Sequence, residues 1–283
     1  IKLSNYSWFN LGGSAEYFYK ARDKDQLVEF LKEAKKNKLK TTILGAGSNI
    51  LFRDKGVKGV VIKLGNNFSY TKLLEKDILV AGAATLDRKV ASFAKTSSLG
   101  NLEFLSCIPG SIGGAIIMNS GCYENDISRV LLSIRAIDKN NLSEIEIKKE
   151  DINFFYRGTN LSDDLIIISA KFQGSIKKKE EIEKKQSDFN KRKKLSQPSQ
   201  IKTCGSTFKN INKDKKAWML IKQSGCENYR EGDAVISQKH CNFFVNNGNA
   251  KSSDIEKLIK KVKNKVLEKT GINLELEIKI IGD

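Results

Sequence analysis

The sequence has few of the residues that metal sites, disulfide frameworks and membrane spans require. Its 283 residues include one histidine and five cysteines, and no two cysteines form a C-x-x-C pair. Zinc sites need clustered Cys and His ligands, and a disulfide framework needs an even set of cysteines, so neither is expected. All apolar runs are far shorter than the roughly 20 residues of a membrane-spanning helix, and no signal-peptide pattern opens the sequence. These absences predict a metal-free, globular, cytoplasmic protein.

Positive charge is in excess, because 50 Lys and Arg residues face 33 Asp and Glu residues and give a formal net charge of +17. Such an excess can indicate nucleic-acid binding, anionic small ligands or a lysine-rich solvated surface. The lysines are spread over several predicted helix surfaces, and no nucleic-acid-binding motif accompanies them. We therefore expect phosphate-bearing small molecules as ligands and no nucleic-acid, membrane or obligate protein partner. A basic, non-catalytic nucleic-acid-binding protein is the alternative.

Hydrophobic periodicity predicts helices and strands in alternation, and hence a mixed α+β protein. The predicted helices are 25–38, 87–98, 217–224 and 254–269. The predicted strands are 40–45, 59–64, 78–84, 130–138, 144–149, 165–173, 241–246 and 274–281, and we expect 130–138, 144–149 and 165–173 to share one sheet. A stretch rich in Lys and Glu, 175–196, is typical of an exposed helix or a domain connector. We therefore expect a domain boundary near residue 175.

Two glycine-rich loops are the first candidates for a binding site. The first, Gly45-Ala46-Gly47-Ser48-Asn49-Ile50, follows a predicted strand, and backbone N–H groups in such a turn can bind a phosphate. It lacks the G-x-G-x-x-G pattern, so a plain strand-ending turn is the alternative. The second, Pro109-Gly110-Ser111-Ile112-Gly113-Gly114, could instead be a tight turn into a helix, capped by Ser111. Two such loops in one domain favour a pyrophosphate clamp.

Further short motifs follow one another along the whole chain. They are Trp8-Phe9-Asn10-Leu11-Gly12-Gly13, Met118-Asn119-Ser120-Gly121, Phe155-Tyr156-Arg157-Gly158-Thr159, Gly205-Ser206-Thr207-Phe208-Lys209-Asn210, His240-Cys241-Asn242-Phe243 and Leu274-Glu275-Leu276-Glu277-Ile278. Together with the two loops, they resemble the UDP-N-acetylenolpyruvoylglucosamine reductase family, within the wider group of flavoproteins related to vanillyl-alcohol oxidase. The sequence looks like the shorter subtype of that family, which lacks a substrate-capping insertion.

The resemblance implies a two-lobed FAD-binding domain of the PCMH type over 1–174, with its lobes divided near 66–77, and a smaller α+β substrate domain over 175–283. It implies FAD that is bound without a covalent link, and NADPH as the reducing substrate. In the family reaction, reduced flavin passes a hydride to C3 of the enolpyruvyl group and UDP-N-acetylmuramate forms, for peptidoglycan synthesis. The residues expected to bind FAD are Gly45, Ala46, Gly47, Ser48, Asn49, Ile50, Pro109, Gly110, Ser111, Gly113, Gly114 and Asn119.

The family reaction leaves negative charge on C2 and the carboxylate, so it needs electrostatic stabilisation and a proton donor. The resemblance implies that Arg157 and Glu277 stabilise the enolate, with Glu277 either ionised or protonated, and that Ser206 protonates C2. From the residues alone, these would be a surface arginine, a solvated charge on an edge strand and a turn serine. Strand alternation places Glu275 and Glu277 on the same face, and the family position alone favours Glu277.

The remaining predictions concern the substrate and the rival enzyme. The resemblance places Tyr156, Asn210 and, less directly, Lys194 near the nucleotide sugar. The single histidine, His240, is expected to be structural. A flavin oxidase or dehydrogenase of the same fold with another substrate would keep both glycine loops. It would not need Arg157, Ser206 and Glu277 together.

Overall fold

The computed structural model describes residues 1–212 and 214–283 and contains both helices and strands in alternation. The helices are α1 Lys24–Lys36, α2 Asp87–Thr96, α3 Ile112–Ile117, α4 Lys179–Ser196, α5 Ala217–Gln223 and α6 Ser252–Thr270. The first strands are β1 Ala15–Ala21, β2 Thr41–Leu44, β3 Ile50–Phe52, β4 Val57–Leu64, β5 Thr71–Leu73, β6 Ile78–Gly82, β7 Leu99–Gly100, β8 Gly121–Cys122 and β9 Asn125–Asp126. The others are β10 Leu131–Asp138, β11 Glu144–Lys148, β12 Phe154–Phe155, β13 Gly158–Thr159, β14 Leu165–Gln173, β15 Ser175–Ile176, β16 Arg230–Glu231, β17 Ala234–Ile236, β18 Phe244–Asn246 and β19 Lys279–Ile281.

Most predicted elements are present, and the predicted strand 274–281 is the main difference. Only β19 is regular there, and Leu276 forms a single bridge with Phe208. The predicted alternation is nevertheless observed, since Leu274 and Ile278 are buried whereas Glu275 and Lys279 are exposed. The segment is therefore extended along its length but is paired with different partners at its two ends.

The chain divides into two compact units, and neither is continuous in sequence. Unit 1 comprises Ile1–Tyr17, Gly47–Val60 and Lys194–Asp283, and unit 2 comprises Phe18–Ala46 and Val61–Lys193. The boundary predicted at 174/175 and the two predicted lobes concern where FAD and substrate bind. Both stay predictions. The compact units differ from that boundary because Phe189 of α4 packs into the core of unit 2, while Phe9 and Leu51 pack into the core of unit 1.

Unit 2 is built on an antiparallel sheet with the strand order β11-β10-β14-β6-β5. The three strands that were expected to share a sheet are its neighbours β11, β10 and β14, so that prediction is confirmed. Their inward side chains, among them Ile134 and Phe172, are fully buried against α2 residues such as Val90. This core fixes the strand and loop ends that carry the second glycine loop.

Unit 1 packs α5 and α6 against the small sheet β16-β17-β18. The first turn of α6 is capped from outside the helix, because the Asp54 carboxylate accepts hydrogen bonds from the backbone N–H groups of Ser252 and Ser253, at 2.8 and 2.9 Å. Burial raises the pKa of Asp54, but the hydrogen bonds from both serines outweigh it and hold that pKa below its usual range. The cap ties the short segment after β3 to the C-terminal part of the chain.

Within residues 1–212 and 214–283, no helix is long and apolar enough to cross a membrane. No group of three His, Cys, Asp or Glu side chains in those ranges could hold a metal ion.

Candidate active site

The two glycine loops touch within unit 2. Gly45 directly follows β2, and a Cβ placed on it would lie only 2.9 Å from the Ser111 hydroxyl oxygen of the second loop. The Lys63 ammonium donates a 2.7 Å hydrogen bond to the Gly45 carbonyl, and burial lowers the pKa of Lys63. The sequence pattern suggested a shared phosphate site, and the structure brings the start of the first loop against Ser111.

The second loop leads into the short helix α3. Ser111 lies at the N-cap position, as the alternative interpretation expected, but its side chain makes no capping hydrogen bond. Backbone hydrogen bonds to the segment after β6 hold the loop instead, because Ile112 N donates to the Thr85 carbonyl and Gly113 N donates to the Ala83 carbonyl. Gly114 is exposed, and a Cβ on it would have only the Ser111 hydroxyl oxygen nearby, at 4.0 Å. The protein itself gives Gly114 no reason to be glycine.

Asp87, which the sequence did not single out, lies under the second loop. It is fully buried, and neither carboxyl oxygen has a hydrogen-bond partner among the described residues. Burial raises the pKa of Asp87 well above its usual value, which favours the neutral acid. A Cβ on Gly110 would lie 2.6 Å from Asp87 Oδ2, so the close approach of this acid explains the glycine. No sequence pattern marks a first-turn aspartate for this position.

Tyr156 and Arg157 form the two-residue turn of a hairpin between β12 and β13, also in unit 2. Arg157 has a φ of 59°, which is uncommon for a residue other than glycine, and its guanidinium carbon lies 4.9 Å from the centre of the Tyr156 ring. The buried Asn119 supports the hairpin, since its amide nitrogen donates to the Phe155 carbonyl at 3.2 Å. A strained backbone conformation persists only where the surrounding structure holds it, and such residues are often found at functional sites.

Ser206 and Glu277 are brought close through the backbone of unit 1. Glu277 N donates to the Thr207 carbonyl at 2.9 Å, and the Asn49 side chain donates to the Glu277 carbonyl at 3.0 Å across 228 residues of sequence. Ser206 itself pairs with Phe243. The end of the first glycine loop, the serine segment and the glutamate segment are therefore adjacent.

The structure separates Glu277 from Glu275, which alternation alone could not do. Glu277 is partly buried, whereas Glu275 is exposed and its carboxylate lies 3.6 Å from the Lys209 ammonium. A solvated ion pair is the ordinary environment of a surface glutamate. The surroundings of the two residues therefore favour Glu277 as the candidate.

The structural role of Asn242 was not predicted from the sequence. Its side chain accepts a 3.0 Å hydrogen bond from Phe208 N and donates one of 2.8 Å to the Phe208 carbonyl. The side chain thus forms the two backbone hydrogen bonds that a neighbouring strand would form with the Ser206 segment. The neighbouring His240 is partly buried beside Phe243, and burial lowers its pKa. Both residues therefore have structural roles next to the candidate proton donor.

Three further candidates have structural surroundings of their own. Gly47 has a φ of 70°, and a Cβ there would overlap the Tyr6 carbonyl, so the backbone alone explains this glycine. Asn210 accepts a hydrogen bond from Ala217 N at the start of α5, at 3.0 Å. Lys194 is exposed near the end of α4. These placements are compatible with binding roles but do not require them.

The predicted site residues thus fall into two groups by unit. Unit 2 holds Gly45, Ala46, Pro109, Gly110, Ser111, Gly113, Gly114, Asn119, Tyr156 and Arg157. Unit 1 holds Gly47, Ser48, Asn49, Ile50, Lys194, Ser206, Asn210 and Glu277.

Comparison with known proteins gives two family models and a set of full-length relatives. The FAD binding domain model matches residues 15–141, and the model of the UDP-N-acetylenolpyruvoylglucosamine reductase C-terminal domain matches residues 197–281. The UDP-N-acetylenolpyruvoylglucosamine reductase of Pelagibacter ubique is 48% identical over 99% of this chain and 92% of its own length. The chain belongs to the UDP-N-acetylenolpyruvoylglucosamine reductase family.

Other members of the UDP-N-acetylenolpyruvoylglucosamine reductase family agree in sequence and in fold. The Orientia tsutsugamushi enzyme is 43% identical over 100% of this chain and 93% of its own. The crystal structure of the Thermus caldophilus reductase superimposes with a TM-score of 0.86 at 29% identity, covering 99% of this chain and 97% of that one. The expected family, the α+β fold with a PCMH-type FAD-binding domain and a C-terminal domain, and the FAD-dependent oxidoreductase activity are confirmed.

Proposed function

We propose that this reductase converts the enolpyruvyl ether of UDP-N-acetylglucosamine into UDP-N-acetylmuramate for peptidoglycan synthesis, with NADPH as the reductant. The observation that supports it most is the local convergence of Ser206, Glu277 and Asn49 in unit 1, on the scaffold of this family. An oxidase of the same fold with another substrate would have no need for the Ser206 and Glu277 segments to be adjacent at the end of a glycine loop.

FAD is compatible with the two loops, because the lack of a side chain at Gly45 lets the first loop lie against Ser111, and open space remains beside the exposed Gly114. When bound, FAD supplies the hydride that reaches C3 of the enolpyruvyl group. Backbone N–H groups and hydroxyls of the loops suit its pyrophosphate, and the basic Lys63 nearby favours an anion. The residues that would hold it are Gly45, Ala46, Gly47, Ser48, Asn49, Ile50, Pro109, Gly110, Ser111, Gly113, Gly114 and Asn119.

Arg157 would hold the substrate carboxylate as negative charge develops on it. A guanidinium cannot lose its proton in this pH range, and its planar donors match a carboxylate. The hairpin turn fixes its backbone, and the Tyr156 ring beside the guanidinium restricts its side chain. Tyr156, Lys194 and Asn210 are proposed to contact the nucleotide sugar.

Ser206 would give its proton to C2, and Glu277 would stabilise the enolate. A serine hydroxyl is a weak acid in water, so it serves only where a strongly basic carbon is held in line with it. The Ser206 backbone is fixed by its pairing with Phe243 and by the Asn242 side chain on the following residues. A rigid backbone of this kind provides the alignment that a weak acid needs.

We expect Gly114→Ala to weaken FAD binding without weakening the fold. The added Cβ has room in the protein alone, and alanine is a better helix residue than glycine, so apoprotein stability should be unchanged or up to about 1 kcal/mol higher. If bound FAD approaches this backbone closely, its dissociation constant should rise by about tenfold or more. Fluorescence quenching of titrated FAD measures the affinity, and denaturant unfolding of the apoprotein measures the stability.

Gly113→Ala is the matched comparison. A Cβ there would lie 3.3 Å from the Ala83 Cβ, so that variant should lose apoprotein stability. Parent-like FAD affinity in Gly114→Ala would contradict the placement of FAD at this loop.

The proposed proton transfer is tested by turnover in deuterated water. The Ser206 hydroxyl exchanges with solvent, so we expect solvent deuterium at C2 of the product lactyl group, observed by NMR. Because C2 of the substrate carries no hydrogen, protium without deuterium at C2 of the product would contradict a hydroxyl donor at that carbon. An enzyme that binds FAD yet does not convert this enolpyruvyl ether would favour the other-substrate oxidase or dehydrogenase.

A further inference from the structure

Two cysteines of unit 2, Cys107 and Cys122, lie side by side. Cys122 packs against the hydrophobic core that contains Cys107, its strand β8 contacts the segment 103–107, and each thiol shifts the pKa of the other. Cys107 Sγ also lies 3.8 Å from the Ser106 hydroxyl and 3.6 Å from Asn190 Oδ1, and Cys122 Sγ is 3.6 Å from the Phe104 carbonyl. Both are unoxidised in the structure. None of these groups has a role in the proposed reaction.

The two thiols differ in how readily they ionise. The hydrogen bond from Cys122 lowers the pKa of Cys107 to about 7, against the opposing effect of burial, with help from Ser106 and the charge of Lys193. The same hydrogen bond and burial raise the pKa of Cys122 well above its usual value, although the charges of Lys193 and Arg157 oppose the rise. One partner is therefore a thiolate in part at neutral pH, while the other keeps its proton.

The surroundings of the pair are basic and aromatic. Lys193 donates a 2.7 Å hydrogen bond to the Cys107 carbonyl, and burial lowers the pKa of Lys193. The Arg192 guanidinium carbon lies 4.1 Å from the centre of the Tyr123 ring, next in sequence to Cys122. A nearby cation stabilises a thiolate, and the Lys193 charge lowers the pKa of whichever of the two sulfurs ionises.

The other three cysteines lack this environment. Burial raises the pKa of Cys204 to about 11, and burial also raises the pKa values of Cys226 and Cys241. A raised pKa leaves little thiolate at neutral pH, and the thiolate is the form that oxidants attack. Reactivity should therefore be concentrated in the pair.

We propose that Cys107 and Cys122 are a peroxide-sensitive pair that closes into a disulfide. The Cys107 thiolate attacks one oxygen of a hydroperoxide, the O–O bond breaks, and the leaving oxygen takes a proton, which gives water from hydrogen peroxide. Cys107 becomes a sulfenic acid. The Cys122 thiol then attacks that sulfur, the S–O bond breaks as the S–S bond forms, and a second water leaves with the thiol proton. Over the two steps the two sulfurs together lose two electrons, and one hydrogen peroxide gains them and becomes two waters.

The exposure of Cys107 and Cys122 decides which oxidants reach them, and their places in the sequence decide which segment a disulfide would constrain. Cys107 is only 5% exposed and Cys122 is partly buried, so we expect a small peroxide to reach the pair more readily than a bulky oxidant does. Cys107 lies two residues before Pro109, where the second glycine loop begins, and Cys122 lies three residues after Asn119. A disulfide here would join the two ends of the segment that carries the loop and α3.

The test uses the FAD-loaded full chain treated with hydrogen peroxide, alkylated and digested with trypsin. The peptide 96–129 contains both cysteines and no internal Lys or Arg, so a disulfide lowers its mass by two hydrogen atoms with no second peptide attached. We expect this loss first, reversed by dithiothreitol, while Cys204, Cys226 and Cys241 stay alkylatable. Oxidation of Cys241, or addition of one oxygen to Met118, before the peptide 96–129 loses two hydrogen atoms would overturn the proposal.

Variants then separate the two sulfurs. The Cys122→Ser side chain keeps a hydrogen-bond donor, so this variant should accumulate a sulfenic acid on Cys107 that dimedone labels once the protein is denatured. Cys107→Ser should show neither the disulfide nor the label on Cys122, and Cys241→Ser should behave as the parent. Equal dimedone labelling of Cys122 in Cys107→Ser would contradict the assigned roles. The parent digest alone decides the pairing if a variant does not fold.

Discussion

Replacing Ser206 by alanine is expected to leave the reduction of FAD by NADPH near the parent rate and to slow reoxidation by the enolpyruvyl substrate by about 10²- to 10⁴-fold. The reduction half-reaction needs no proton at C2, whereas completion of the second half-reaction does. Alanine removes the donor and keeps the backbone that pairs Ser206 with Phe243. Anaerobic stopped-flow absorbance of the flavin band measures the two half-reactions separately.

Thr207→Val is the matched control for that variant. Thr207 is the next residue, and its fully buried hydroxyl has no hydrogen-bond partner among the described residues, so valine removes an oxygen that nothing uses. Both half-reactions should stay close to the parent in this variant. Equal damage to both half-reactions in Ser206→Ala, or parent-like reoxidation, would contradict the role of Ser206 as proton donor.

Replacing Glu277 by glutamine is expected to slow the second half-reaction by about 10²- to 10³-fold, the range found when one group that stabilises a developing oxyanion is removed. Glutamine keeps the size of the side chain but loses both the charge and the acidic proton. Flavin reduction by NADPH should change little. The same stopped-flow measurement, with substrate added to the reduced enzyme, gives the rate.

Glu275→Gln is the control that the structure provides. Glu275 is exposed and paired with Lys209, and surface ion pairs of this kind contribute little. Near-parent rates are expected in both half-reactions. The reverse pattern, with Glu275→Gln impaired and Glu277→Gln active, would move the catalytic assignment by two residues and would require the 274–281 segment to present its other carboxylate.

Local pattern was enough to predict the elements with a continuous hydrophobic face. The periodic apolar residues of α6 and the β-branched runs of β10 and β14 are buried as their spacing predicted. The alternation across 274–281 also predicted which side chains are buried, although most of that stretch is not a regular strand. In a helix or an extended segment, the spacing of apolar residues shows which side chains share a face, and the shared apolar face is the buried one.

Most of the features that the sequence could not predict depend on residues far apart in the chain, and one is a local turn without its usual residues. The cap of α6 comes from Asp54, and the amide that reaches Glu277 comes from Asn49. The two-residue turn at Tyr156 and Arg157 lacks the glycine or asparagine that usually marks such a hairpin. The division into two discontinuous units likewise depends on which core each segment joins. Composition and spacing carry no information on these pairings.

The family resemblance supplied the candidate chemistry, and the structure supplied reasons to choose among residues. Gly47 is required by its contact with Tyr6, whereas Gly114 has open space and so points to a ligand. Glu277 is partly buried and Glu275 is in an exposed ion pair. Such distinctions need the positions of neighbouring atoms, which motif matching does not give.

An anaerobic absorbance titration of the purified protein tests the central proposal most directly. NADPH is added first, and the enolpyruvyl ether of UDP-N-acetylglucosamine second. We expect a flavin band that bleaches with NADPH and returns when the nucleotide sugar is added. A band that bleaches and does not return would contradict the proposed substrate, and a protein that stays colourless after FAD is supplied would contradict the proposed function as a whole.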